Sequence, residues 1–171
     1  MSILRNISLL ATIILVITFN MGCERDDICA EDTPTTPLLI IKFIDVENGT
    51  EIKAPSELQV KAVGVDDIYP IGSVRDSILI PLKNDVSVTD YELTIDSDTT
   101  NEETTTNTDV ISIQYTPVEE YVSSACGFKV NYEGITISPP VVGDDGSWIK
   151  NITIQRENVT DESNAHVLIF H

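Results

Sequence analysis

The chain has 171 residues, with 10 Lys and Arg against 28 Asp and Glu, a formal charge of −18. That length suits one domain and is too short for a two-domain enzyme, and the charge leaves no basic footprint for a phosphate backbone, which excludes a nucleic-acid partner. With 42% hydrophobic residues, 8 Gly and 8 Pro, the composition is that of a folded chain rather than a disordered or collagen-like one.

Residues 1–22 read as a lipoprotein signal peptide. Arg5 supplies the charged start, Ile7 to Phe19 is an apolar run, and Asn20-Met21-Gly22-Cys23 follows it. The run is interrupted by Ser8 and Thr12 and is shorter than the roughly 20 apolar residues of a spanning helix, so export with cleavage is preferred to a permanent anchor. Gly22-Cys23 resembles the lipobox of bacterial lipoproteins, which implies lipidation of Cys23, although Asn20 stands where Leu is usual. Residues 23–37 then form a lipidated tether, opening on the polar run Glu24 to Asp27, and removal of Arg5 with the signal leaves 9 cations against 28 acids, or −19.

Three cysteines in an exported chain leave one over unless one is already used. Lipidating Cys23 leaves Cys29 and Cys126, expected to pair as a disulfide that closes a loop of about 100 residues and contributes on the order of 4 kcal/mol in the chain-entropy picture. The alternative, a reactive Cys126, has no His near it in sequence to activate it. The unpaired tether would then be Glu24 to Ile28, at most about 17 Å long.

Residues 38–171 read as one domain. Thr33-Pro34-Thr35-Thr36-Pro37 cannot be helical, and from Leu38 the apolar period is two. Strands are predicted over 38–45, ending at the Asn48-Gly49 turn, then over 57–65, 76–83 and 88–96. Pro81 marks the third of these as an edge or bulge. Asp96 to Asp109, rich in Thr and acids, is predicted to be a solvated loop, after which 110–116 resumes alternation. Thr116-Pro117-Val118-Glu119 has the form of a capping box, with Gly127 as a stop, and predicts one short helical turn. Strands over 128–132, 135–138, 148–155 and 165–170 complete the chain. This pattern describes an all-β, two-sheet antiparallel β-sandwich of immunoglobulin or fibronectin type with at most one short helix. A small closed barrel is the runner-up.

The start Cys23-x-x-Asp26-Asp27-Ile28-Cys29 followed by Thr33 to Pro37 resembles a lipoprotein family of Bacteroidota with no assigned function. The likeness continues through Leu39-Ile40-Ile41, Phe43, Asp76-Ser77-Ile78, Pro81-Leu82, Tyr121-Val122-Ser123 and Ala125-Cys126-Gly127-Phe128. It implies a location and not an activity. Arg25-Asp26-Asp27 is similar to the signal that sends some lipoproteins of that phylum to the cell surface, so the expected place is the outer membrane, facing the periplasm or the exterior.

Catalytic chemistry finds little support. The histidines are His166 and His171, and at strand period they fall on opposite faces, so they cannot share a metal or a site. There is no nucleophile elbow, phosphate loop or His-Glu-x-x-His motif. Asp96, Asp98 and Glu102 have the spacing of a calcium loop's opening but lack its Gly at the sixth position and Glu at the twelfth, and a solvated charge run is the commoner meaning. Trp148, Tyr121, Tyr132 and Phe128 would form either part of the core or an exposed aromatic platform for a glycan or protein.

The expectation is therefore a lipid-anchored, non-catalytic binding or envelope accessory module with no cofactor, a membrane contact through its lipid and a protein or glycan partner. The alternatives are a calcium-binding surface protein and a small hydrolase built around His166.

Overall fold

The computed structural model describes residues 28–72, 76–97, 105–141 and 146–171. The signal peptide, Cys23, Asp98 and Glu102 lie outside the described residues. Among those described are nine strands and no helix: β1 (Leu39–Ile44), β2 (Gln59–Ala62), β3 (Ile68–Tyr69), β4 (Ser77–Ile80), β5 (Val88–Ile95), β6 (Asn107–Ser123), β7 (Gly127–Val141), β8 (Asn151–Ile154) and β9 (Val167–Phe170). They form a four-stranded sheet of order β4-β1-β9-β8 and a five-stranded sheet of order β3-β2-β5-β6-β7. The protein is an all-β two-sheet sandwich, and its sheets are open rather than closed into a barrel.

Contacts divide the chain into two units. Of the described residues, the first holds those from Ile28 to Thr33 together with Ser123–Cys126, and the second holds those of Pro34–Val122 with Gly127–His171. Within the first, Cys29 is bonded to Cys126 with Cα atoms 4.9 Å apart, and the Cys126 N–H donates to Ser123 Oγ at 3.0 Å. All of the sandwich core lies in the second.

Alternation explains the core. Leu39, Ile41 and Phe43 of β1, Ile78 and Ile80 of β4, and Val167 and Ile169 of β9 point inward from one sheet. Val60, Leu93, Ile111 and Ile113 meet them from the other. β1 pairs antiparallel with β4 and parallel with β9, while β5 is antiparallel to β2 and β6. Three tyrosines of the larger sheet fasten the chain where it leaves β4. Tyr91, Tyr132 and Tyr115 donate hydroxyls to the consecutive carbonyls of Pro81, Leu82 and Lys83, the last two at 2.9 Å. Each such bond is worth about 1 kcal/mol net. Burial raises all three phenols, Tyr132 to about 12. Pro81 follows the edge strand β4 directly, as its missing N–H requires.

The helical turn predicted at Thr116 to Gly127 does not form. β6 runs straight through Pro117 to Ser123 and returns as β7. The reason is local. β5 pairs with β6 only up to Gln114, and Tyr115 N–H takes the last bond, to Ser87 O at 3.0 Å. Alternation puts the N side of residue 117 toward β5, which has already ended, so the proline forfeits no ladder bond.

The predicted strands 128–132 and 135–138 are one strand. Gly134, at φ 62°, sits between them and shifts the phase, so that Tyr132 and Ile135 are both buried. The outer edge of β7 is covered there by residues 157–159. Tyr132 and Val159 exchange N–H···O bonds of 3.1 and 2.8 Å, and Ile135 N–H donates to Glu157 O at 2.8 Å. The predicted solvated loop is shorter than expected, because β6 begins at Asn107 and Asp109 is fully buried. β3 is a two-residue edge strand with no sequence signal, and regular pairing of β8 starts at Asn151 rather than Trp148.

Candidate functional site

The outward residues of β1, β4 and β9 form the floor of a groove of about 650 Å³. Ile40, Leu79 and Leu168 make it aliphatic, with Lys42, Ser77 and Asp76 placed among them. Its wall is the two ends of the segment that joins β8 to β9, Gln155 with Arg156 and Glu162 to Ala165. That wall is held by a fork of bonds on Asp161. Arg156 donates to both carboxylate oxygens at 2.9 and 2.6 Å, and Ser163 donates its N–H at 2.9 Å. These donors, Arg156 first, hold the Asp161 carboxyl well below the usual carboxylate range. Glu162 Oε1 accepts the Leu38 N–H at 2.8 Å and ties the wall to the entry of β1. The Lys42 side chain makes no hydrogen bond or ion pair among the described residues and faces the groove with Asp76, which accepts from Ser77.

His166 stands behind this wall and does not line the groove. It is fully buried, its Nδ1 accepts the Ile40 N–H at 3.1 Å, and its own N–H donates to Ile40 O at 3.0 Å. One residue thus satisfies both backbone groups of Ile40 where β9 begins to pair with β1. Nε2 is buried without a hydrogen bond of ordinary geometry. Burial and then the Arg156 cation lower the imidazole pKa, against the opposing pull of the Asp161 carbonyl and the Asp161 and Glu162 carboxylates. With Nδ1 occupied and the ring enclosed, His166 supports β1. His171 is engaged elsewhere: its Nε2 lies 2.9 Å from Lys53 O, and its ring meets Phe43 and Trp148 edge to face.

The remaining expected site residues are dispersed. Asp96 occupies a left-handed turn after β5 at φ 50°, where its N–H donates to Ser56 O. No three His, Cys, Asp or Glu side chains gather as a metal site among the described residues. The four aromatics divide into two pairs. Trp148 and Tyr132 are core, with Trp148 Nε1 donating to Leu93 O at 3.0 Å, whereas Tyr121 and Phe128 are exposed. The burial of Asp109 carries no sequence signal, since the acids before it are polar surface in appearance. Its Oδ2 receives the Ile149 N–H and the Ser147 hydroxyl, both at 2.7 Å, and so fixes the chain before β8 to β6.

These features define an all-β two-sheet domain with an open groove of mixed polarity on the outer face of its smaller sheet. Over residues 57–171 the chain matches the family of unknown function DUF6452, and it belongs to that family. The match takes in β2 through β9 and leaves the start Cys23 to Pro37 outside it. Neither a curated protein nor a solved structure matches the chain.

Proposed function

We propose that this protein is an exported lipoprotein of the Bacteroidota type, held at the outer membrane by lipid on Cys23, whose sandwich is a non-catalytic binding or envelope accessory module. The observation that carries the reading is the bond between Cys29 and Cys126, which uses two of the three cysteines and leaves Cys23, directly after the apolar run, available for acylation. The binding part rests on the groove. An aliphatic floor set with Lys42, Asp76 and Ser77 offers apolar contact together with convergent donors and acceptors, the combination that orients a small polar ligand or a glycan. The enclosed His166 favours binding over hydrolysis, because a general base must reach its substrate.

The test is fractionation of cells carrying the wild type or Cys23→Ala, with intact mass of the wild type. A mature mass beginning at acylated Cys23, and loss of the variant from the membrane fraction, are expected. Continued membrane association of Cys23→Ala would overturn the lipid anchor in favour of an uncleaved signal.

A further inference from the structure

Among the described residues the three most exposed large apolar side chains are Ile28 at 85%, Phe128 at 64% and Tyr121 at 58%. All three are close in sequence to one covalent bond. Ile28 precedes Cys29, Phe128 follows Cys126 by two residues, and Tyr121 precedes it by five. Tyr121 and Phe128 are a built pair, with ring centroids 5.4 Å apart at 68° on facing strands of the β6–β7 hairpin. They continue the core-facing side of that hairpin. On β6 this side runs from Tyr115 through Pro117 and Glu119 to Tyr121, and on β7 from Tyr132 through Val130 to Phe128. Beyond residue 115 there is no β5 alongside, and exposure rises along the inward side from the buried Tyr115 and Val130 to the exposed Tyr121 and Phe128. The opposite side of the same hairpin joins Glu120 to Lys129 at 3.2 Å and to Asn131, beside the half-buried Val118 and Val122.

We propose that Tyr121 and Phe128 form an interfacial contact with the phospholipid surface that holds the chain's own acyl anchor. The inference rests on lipidation of Cys23 as read above. Five residues separate Cys23 from Cys29, and the bond to Cys126 then leads to Phe128. The covalent path from the acylated residue to the aromatic pair is therefore at most about 33 Å when fully extended. A hairpin tip so tethered meets the bilayer at a high effective concentration. Tyr suits the headgroup level, where its ring is apolar and its hydroxyl wet, and Phe adds apolar area beside it. Glu119, exposed on the same side, keeps the contact at the headgroups, and the charge of the whole chain selects a zwitterionic rather than an anionic surface.

The test uses the acylated full chain in phosphatidylcholine vesicles, with Tyr121→Trp and, separately, Phe128→Trp as fluorescent reporters. The buried Trp148 serves as the unquenched background. Both reporters are expected to blue-shift on reconstitution and to lose emission to lipids brominated just below the headgroup. Protein that floats with the vesicles while both reporters stay unshifted and unquenched overturns the contact and leaves the anchor standing. Protein that fails to float overturns the anchor and the contact with it. A blue shift that appears without lipid and grows with protein concentration also overturns the proposal, because it assigns the pair to a second copy of the chain.

Discussion

Replacing Asp109 by Ala tests whether the buried carboxylate is what fixes the segment before β8. The side chain is fully enclosed, and Ile149, whose N–H it receives at 2.7 Å, is only 3% exposed, so no solvent replaces the acceptor. An orphaned buried N–H costs about 1–3 kcal/mol. The Ser147 hydroxyl is less affected, since it also reaches Ile149 O at 2.8 Å. Removing the side chain also removes Oδ1, which is buried without a partner, and this returns part of the loss. The balance is a destabilisation of about 2 kcal/mol, which at an m-value of about 2 kcal/mol/M lowers the urea midpoint by about 1 M. Asp109→Asn keeps an oxygen for the Ile149 N–H, so its loss is expected to be less than half as large. Urea titrations at pH 7 followed by the emission of Trp148, the single tryptophan, measure both. Asp109→Ala within about 0.5 kcal/mol of wild type, or Asp109→Asn as damaging as Ala, would refute this assignment of the energy.

Three further outcomes are expected. The His166 imidazole is held below its ordinary pKa, so the unfolded chain takes up this proton first as the pH falls. The contribution is complete above about pH 6.5 and is lost as the pH drops through the folded value. His166→Asn keeps an acceptor for Ile40 and should flatten the dependence of the urea midpoint on pH between about 6.5 and 5, and equal slopes in both proteins would contradict it. The double variant Cys29→Ser/Cys126→Ser, which opens a loop with a sequence separation of 97, should lose about 4–5 kcal/mol. In the native protein both cysteines should resist alkylation until reductant is added. Gly134→Ala should cost about 1 kcal/mol from its left-handed backbone alone, since a Cβ there meets nothing within 4 Å, and Gly134→Asn should cost less.

What the sequence made legible was local. The Asn48-Gly49 turn, the shared faces of Tyr91 with Leu93 and of Ile111 with Ile113, and the edge position implied by Pro81 follow from period-two alternation and turn chemistry within a few residues. The pairing of Cys29 with Cys126 followed from counting thiols. Thr116 to Glu119 misled because a capping box and a strand that has outrun its neighbour look the same in sequence; only the end of β5 distinguishes them. Asp109 was read as solvated because its partners, Ser147 and Ile149, lie about 40 positions away. The groove was invisible for the same reason. Its floor comes from β1, β4 and β9, and its wall depends on Glu162 reaching Leu38 across 124 positions.

The parallel pairing of β1 with β9 places residues 126 positions apart side by side at the centre of the smaller sheet, with β4 and β8 joined only to its flanks. A chain that emerges from its N-terminus first can complete β5, β6 and β7 as successive hairpins. β1, by contrast, can pair with β4 early but must wait for Val167 to Phe170 to fill its other edge. Closure of that sheet is thus the late, high-contact-order step of folding. Until it occurs, the six-residue β1 keeps one edge open to wrong pairing.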